Sequence, residues 1–573
     1  MGGGHARHLR WRRGNDPGNW RTSNRSSSTG GLLMASIGRS SALLASGTVV
    51  SRILGFISAV VLARTLGLVG SGADAFALAN QLPNNIYAIV AGGVLSAVLV
   101  PHIIKSHLNP DGGAAYINKL LTLGIVIFGL IALLATLAAP LLVSLYAQQS
   151  SGANGAGFDS VTVRLAVAFA WWCLPQVFFY AVYSLLGEVL NARGLFGPFT
   201  WAPALNNIVA IAGMLWLGTL FTGSVTTAGD WDSLEISVLA GSATVGVAAQ
   251  SLILFGFLRR AGIRFRLDFG FRGVGLRDTS KVAAWTFGMI IVTQIAGVVQ
   301  SNVASLATAT GDPGLAVLRF GWLVFMLPHS VVTVSLVTAY FTRMSTAVRD
   351  DNWVGLSRDI RESLARIGFF MVLASAGLWV TSAHIAAVFS SNAAAGLGVV
   401  VSLFALALVP FGVVFVLQRV FYALGDTKTP FYIQIAQAVV FCVGAVITAI
   451  GPTSQIAFGL ALSLSVSTWV HALVMGLVLN KRLGKLFDVT EISSLGKFVL
   501  ALVPTVLLGW LTSEFINDVF SVSITSSLTT HLVAAAVVGV VMIGSYVGSL
   551  LLLRDATTRS LLAPLRRGDG DRT

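Results

Sequence analysis

The chain has 573 residues, 55% of them hydrophobic and 10% charged, with a mean hydropathy of +0.81. Soluble globular chains carry about 25% charged residues, so water is not the main solvent here and no room remains for a sizeable soluble domain. The net charge of +14 raises nucleic acid or acidic lipid as a partner, but the positive charge falls in every second loop, which is the pattern of a membrane protein.

Residues 1–37 are rich in Gly, Ser and Arg, including Arg10, Arg12 and Arg13, and lack apolar periodicity. They read as a disordered basic cytoplasmic tail. The first apolar run is too long for a signal peptide's core and is interrupted by Arg52, so cleavage is not expected. A bilayer-crossing helix needs about 20 mostly apolar residues. Such runs lie at 42–66, 75–104, 119–147, 161–191, 198–221 and 236–258, forming a first half that spans 38–262. A basic linker, 263–280, follows, and then runs at 282–309, 315–342, 364–389, 396–424, 430–450 and 455–480 form a second half, 281–482. Two more, 496–513 and 530–553, lie in a final segment, 483–555, before a cytoplasmic tail at 556–573.

Alternate connections carry Lys105, Arg193, the cluster from Arg259 to Arg277, then Arg343, Arg349, Arg358 and Arg361, Lys428, and Lys481, Arg482 and Lys485. The other connections, near Gly70, Gly152, Asp230, Asp312, Asn392, Pro452 and Asp518, hold no Lys or Arg. Positive loops stay in the cytoplasm, so both termini are expected there, in a plasma-membrane protein. A missed span would scramble the alternation, and nothing is scrambled. Cys173 and Cys442 each lie in an apolar run and read as small packing residues.

The halves repeat. LLGEVLNARGLFGPF around Gly187 matches VLQRVFYALGDTKTPF around Arg419, and QLPNNIYAIVAGGVLSAVLVP near Pro83 matches MLPHSVVTVSLVTAYFT near Pro328. Matching elements are six spans apart, an even number, so the halves run parallel. Parallel repeats imply two six-helix lobes with a substrate site between them and rocking of one lobe against the other.

A charged residue at a helix centre costs about 2.5–3.5 kcal/mol on insertion scales, so each one needs a partner, a watery cavity or a function. Arg52 lies mid-span, either lining a polar cavity or paired with an acid such as Glu188. Arg64 and Asp74 flank the turn between the first two spans, where a local ion pair or helix-terminus stabilisation is the cheaper reading. Glu188, Arg193 and Arg419 stand where spans four and ten end near Gly-Pro or Thr-Pro breaks, as gating or snorkelling groups. Arg319 is similarly ambiguous. Gln294, Gln300 and Asn302 fit a cavity wall or interhelical hydrogen bonds equally. Neither a phosphate-binding loop nor a strand-flanked G-x-G-x-x-G is present, which argues against ATP hydrolysis. The scattered histidines, with His384 and His471 isolated in apolar runs, argue against a metal cluster.

The runs SRILGFISAVVLARTLG (51–67), ADAFALANQLPNNI (73–86), LNARGLFGPFTWAPALNNI (190–208), MLPHSVVTVSLVTAYFTRMS (326–345) and FYALGDTKTPF (421–431) resemble the MurJ/MviN family, especially its actinobacterial members. That family belongs to the superfamily that also holds the MATE exporters. The resemblance implies an all-α polytopic fold with about fourteen transmembrane helices. It also implies a transporter rather than an enzyme, moving lipid II, the undecaprenyl-diphosphate-linked peptidoglycan precursor, to the outer leaflet for cell-wall synthesis. The last two helices are expected to form a groove for the lipid tail.

Arg52 and Asp74 match the family's span-one arginine and the acid opening span two. With Ser51, Asn84, Arg319, Gln294 and Glu188 they make up the expected diphosphate site, and Arg193 and Arg419 the cytoplasmic entrance. The sequence departs from the family at Ser58, Tyr87, Leu323 and Met326, where well-studied relatives carry charged residues, so Arg319 and its neighbours are left to supply the positive charge. No cofactor is expected beyond the membrane potential and, at most, a coupling cation. Expected partners are lipid II, membrane lipids and cell-wall synthases, not nucleic acid. The competing readings are a flippase for another polyprenyl-linked glycan, a drug exporter, a lipid-dependent glycosyltransferase using Asp230, Asp232 and Glu235, and a non-transporting cell-wall scaffold.

Overall fold

Hydrocarbon offers backbone groups no hydrogen-bond partner, and an isolated helix satisfies them internally. The computed structural model describes residues 27–94, 113–150, 155–220, 226–270, 280–391, 394–484, 489–523 and 526–567. The first half comprises α1 (Ser27–Leu66), α2 (Ser71–Val94), α3 (Ala114–Leu137), α4 (Ala139–Tyr146), α5 (Ser160–Cys173), α6 (Gln176–Ala192), α7 (Phe196–Leu220), α8 (Ser233–Leu252) and α9 (Phe255–Leu258). The second comprises α10 (Ser280–Ser305), α11 (Leu315–Pro328), α12 (Val334–Arg349), α13 (Trp353–Phe389), α14 (Ala394–Ala423), α15 (Lys428–Ala449) and α16 (Ile456–Leu483). Then follow α17 (Val489–Val519), α18 (Leu528–Leu552) and α19 (Ala556–Arg567).

Among the described residues, thirteen helices are long and apolar enough to cross a membrane. The fourteenth expected span is α2, which carries Asp74, Asn80, Gln81, Asn84 and Asn85 and so falls outside that set. Its expected continuation to residue 104 lies outside the described residues, as does most of the loop with Lys105. At the N-terminus the structure differs from expectation. Helix α1 begins at Ser27, inside the stretch read as a tail, and the C-terminal stretch forms α19, capped by Asp555 through Thr558 N–H (2.7 Å) and Oγ (2.9 Å).

The all-helical, two-lobed fold expected from the sequence is the one observed, and its repeat is visible in the packing. Helix α1 packs on α7 as α10 does on α15; α7 on α8 as α15 on α16; α2 on α5 as α11 on α14; α3 on α6 as α13 on α14. Single residues repeat as well. Span four ends on Gly194 at φ 73° with Leu195 N–H bonded to Leu190 C=O, and span ten on Gly425 at φ 72° with Asp426 N–H bonded to Phe421 C=O. Only glycine enters that left-handed cap without strain. The spacing from Gly194 to Gly425 is also the spacing from Gly213 to Gly444. Both of these let a neighbouring helix close in: a Cβ on Gly213 would lie 2.1 Å from Ser242 Oγ, and one on Gly444 2.4 Å from Ser463 Oγ. Beyond the lobes, α17 and α18 pack on each other and on α13.

Overpacking a close helix contact costs about 1–3 kcal/mol. Gly213→Ala is expected to destabilise by that order and Ser242→Gly to relieve most of it, with Gly444→Ala and Ser463→Gly behaving alike; thermal unfolding of the purified protein reads both. At the repeat turn, burial pushes the Asp426 carboxyl up, but Thr429 and the Arg482 guanidinium more than offset this and hold it below the ordinary 3.8. The stabilisation from Asp426 is therefore complete above that value and is lost as pH falls through the lower folded value. Unfolding temperatures measured from pH 6 to pH 3 should fall less in Asp426→Asn than in the wild type.

Candidate functional site

One end of the bundle carries the arginine-rich connections and the other does not, and the two lobes are joined mainly in the arginine-poor half. Asp74, at the first turn of α2, is 1% exposed. Its Oδ2 accepts from Thr308 Oγ (2.6 Å) and its Oδ1 from Ala316 N–H (2.8 Å). Helix α11 has Gly314 as its N-cap and no side chain of its own to satisfy its first N–H groups, so an acid from the other lobe caps it. A carboxylate there also complements the helix dipole. Of the two readings of Arg64 and Asp74, the local ion pair is not found among the described residues, and helix-terminus stabilisation is what both residues supply. Arg64 reaches instead to Val388 C=O (2.9 Å) and Ala387 C=O (3.3 Å), the last carbonyls of α13, where a cation complements that helix's negative end. Gln148 N–H to Ser305 Oγ (2.8 Å) and Asn302 to Leu145 C=O (2.7 Å) close the same end.

Inward of this clasp lies a cavity of about 230 Å³ lined by α1, α2, α6, α7, α8 and α11. Its polar surface comes from Ser58, Asn80, Gln176, Tyr180, Asn206, Asn207 and Ser242. Arg319 enters it from the opposite lobe, and its Nη1 donates to Ala77 C=O (3.1 Å). Among the described residues no carboxylate forms an ion pair with that guanidinium. A desolvated cation surrounded by neutral polar groups is a ready site for an anion. Ser58 and Leu323 line the same cavity as Arg319, and Leu323 is one helical turn from it.

Arg52 is exposed on α1 and its Nη1 donates to Ser330 Oγ (2.6 Å). Ser330 sits in a single π-helical turn, His329–Thr333, that follows Pro328. Proline lacks an N–H, and such a widened turn re-aims side chains. Arg52 makes no ion pair among the described residues, so the alternative of a pair with Glu188 is not found.

The other expected residues are dispersed. Ser51 offers its C=O to Asn207 (3.0 Å), and Asn84 bonds the Tyr180 hydroxyl at the cavity's side. Gln294 bonds Asn85 C=O (2.6 Å) and Asn302 bonds Leu145 C=O, so both make interhelical hydrogen bonds, and Asn302 also lines a separate cavity beside Gln148 and Gln149. Glu188 is half-buried beside Tyr87. Arg193 closes the end of α6 through its own N–H, whereas Arg419 lies among the rings of Phe341, Phe415 and Tyr422, at 5.6, 5.0 and 5.8 Å.

Sequence reading missed Asn80, Gln176, Tyr180, Asn206 and Asn207, although Asn206-Asn207 and Asn84-Asn85 are conspicuous pairs in apolar runs. It also missed that His384 is not isolated: it meets His531 (3.3 Å) and Ser513 (3.0 Å), joining α13 to α18 and α17. No group of three or more metal-ligating side chains occurs among the described residues.

The family model of the lipid II flippase MurJ matches residues 62–548. The chain belongs to the lipid II flippase MurJ family. Relatives include the probable lipid II flippase MurJ of Rhizobium tropici, 28% identical over 446 residues, covering 76% of this chain and 79% of the relative. That of Haemophilus influenzae is 25% identical over 449 residues, covering 75% and 84%. Among solved structures, a lipid II flippase MurJ in an inward closed conformation superposes with a TM-score of 0.67 at 20% identity, covering 90% of this chain and 99% of that one. An inward-facing multidrug-resistance MATE transporter of the MOP superfamily gives 0.58 at 16% identity, covering 76% and 95%. The MurJ fold is thus shared along nearly the whole chain, and this protein is membrane-embedded.

Asp74→Ala strands Thr308 Oγ and the Ala316 N–H, a loss of about 1–3 kcal/mol. The unfolding temperature should fall, and the distance between spin labels at Gly229 and Gly311, on opposite lobes, should shift to longer values. An unchanged distance distribution means that Asp74 does not hold the lobes together.

Proposed function

We propose that this protein carries lipid II across the plasma membrane by alternating access, with Arg319 and Arg52 as the cations that receive the diphosphate. The observation that carries the reading is Arg319: a guanidinium extended from one lobe into a polar cavity of the other, with no carboxylate among the described residues paired to it. A diphosphate with attached sugars loses its hydration in hydrocarbon at prohibitive cost, and a lined cavity replaces that hydration. Arginine's planar fork suits phosphate oxygens, and Asn80, Gln176, Asn206, Asn207 and Tyr180 suit hydroxyls and amides.

The positive-inside rule puts the arginine-rich end and both termini in the cytoplasm. The clasp at Asp74 and Arg64 then closes the outer side, and the headgroup is admitted from the inner leaflet while the isoprenoid stays in lipid along α17 and α18. Rocking breaks the clasp and opens the outer side. An interior-negative potential favours outward movement of an anion by about 2.3 kcal/mol per charge per 100 mV, which supplies a driving force with or without a coupling cation. Cell-wall synthases that consume the flipped lipid are the expected partners.

The experiment is depletion of the protein in its host, with outer-leaflet lipid II quantified by an externally added, membrane-impermeant probe. Outer-leaflet lipid II should fall while total lipid II rises, and Arg319→Gln or Arg52→Gln, expressed at wild-type level, should restore less than a tenth of the wild-type signal. Outer-leaflet lipid II that does not change on depletion overturns the reading in favour of another polyprenyl-linked glycan or a scaffold role.

A further inference from the structure

A second cavity, about 720 Å³, lies between α13, α14, α16 and α17, away from the inter-lobe site. Its walls are apolar, from Val409, Val413, Leu417, Leu473, Leu477 and Phe498, and Gly368 and Gly476 leave room between the helices. Leu473 and Leu477 are 59% and 69% exposed, so the groove opens laterally. None of its lining residues comes from α18, so it is separate from the seam between α17 and α18.

At the arginine-rich end the lining changes character, to Arg358, Arg361, Asn480, Ser494 and Thr557. Arg358 and Arg361 lie three residues apart and share a face of α13. Glu362, the one acid among the described residues lining the groove, is engaged elsewhere: its Oε2 accepts from Tyr340 (3.2 Å) and faces Arg343 (3.7 Å), and its Oε1 faces Arg366 (3.9 Å). Asp359, beside Arg358 in sequence, is buried and paired with Arg343. Arg358 is exposed and makes no ion pair among the described residues. Among the described residues the mouth therefore carries two arginines against one acid that is engaged elsewhere, above a slot that only hydrocarbon fills favourably. Basic pockets between transmembrane helices on the cytoplasmic side suit anionic lipid headgroups.

We propose that this groove holds an anionic glycerophospholipid, its phosphate at Arg358 and Arg361 and an acyl chain between α14, α16 and α17, as a resident lipid that fixes α17 against the second lobe. The proposal is independent of which lipid-linked cargo crosses between the lobes. The test uses the full chain in nanodiscs of equal phosphatidylglycerol and phosphatidylcholine, then native mass spectrometry of the lipid that stays bound.

Phosphatidylglycerol should be retained in preference to phosphatidylcholine, and Arg358→Gln should reduce its retention about fivefold, the effect of one arginine near a lipid surface. Arg358→Gln with Arg361→Gln should reduce it further, and Arg260→Gln, an arginine of the first lobe, should not. Gly476→Trp, which fills the slot and keeps both arginines, should abolish retention. If the double glutamine variant fails to fold, Arg358→Lys with Arg361→Lys, which keeps the charge, should retain the lipid. Equal retention of the two phospholipids, or retention that survives Gly476→Trp, overturns the proposal. So does displacement of phosphatidylglycerol by equimolar undecaprenyl phosphate, which would make the groove a polyprenyl path.

Discussion

Hydrocarbon cannot hydrogen-bond, and the arrangement of this protein follows from where each polar group finds a partner. Backbone groups are satisfied inside helices. Polar side chains carried into the bundle have to be satisfied by another helix, so each one becomes a statement about which helices touch. Asn302, Gln294, Ser305 and Asp74 are satisfied across the boundary between the lobes. His384 is satisfied by His531 and Ser513 where α17 and α18 meet α13, while the Nε2 of His531 has no partner among the described residues.

The same constraint gives the central cavity its meaning. Arg319 has one backbone carbonyl and a ring of neutral polar groups, where an interior cation is ordinarily matched by a carboxylate. Asp74, a carboxylate on the adjoining helix, is not its partner, because both its oxygens are occupied by Thr308 and the start of α11. The two groups thus divide the work between the lobes: the acid holds them together at one end, and the base is left for an anion further in. Alternation between two states needs contacts of this kind, strong enough to define a closed state and few enough to be exchanged.

Internal duplication supplies the frame. Gly194 and Gly425 end spans four and ten in the same left-handed cap, and Gly213 and Gly444 admit the same serine contact from the next helix. Two similar lobes nevertheless treat charge differently. The cavity is walled mainly by the first lobe, with Arg319, Phe320 and Leu323 as the second lobe's contribution, while Arg419 in the second lobe is enclosed by aromatic rings.

The sequence by itself determined the helical class, nearly every span, the alternation of loop charge and the parallel repeat, because apolar run length, arginine placement and cap glycines are local properties of the chain. It also marked Arg52, Asp74 and Arg319 as charges that needed an explanation. Only the tertiary structure decided what each one does. Asp74 and Arg64, neighbours in sequence, turned out to hold different helices of the other lobe. Asn80, Gln176, Asn206 and Asn207 converged on Arg319 from three helices, and His384 gained partners more than a hundred residues away. A hydrogen bond between spans depends on the rotation and depth of two helices at once, and no periodicity within either one encodes that.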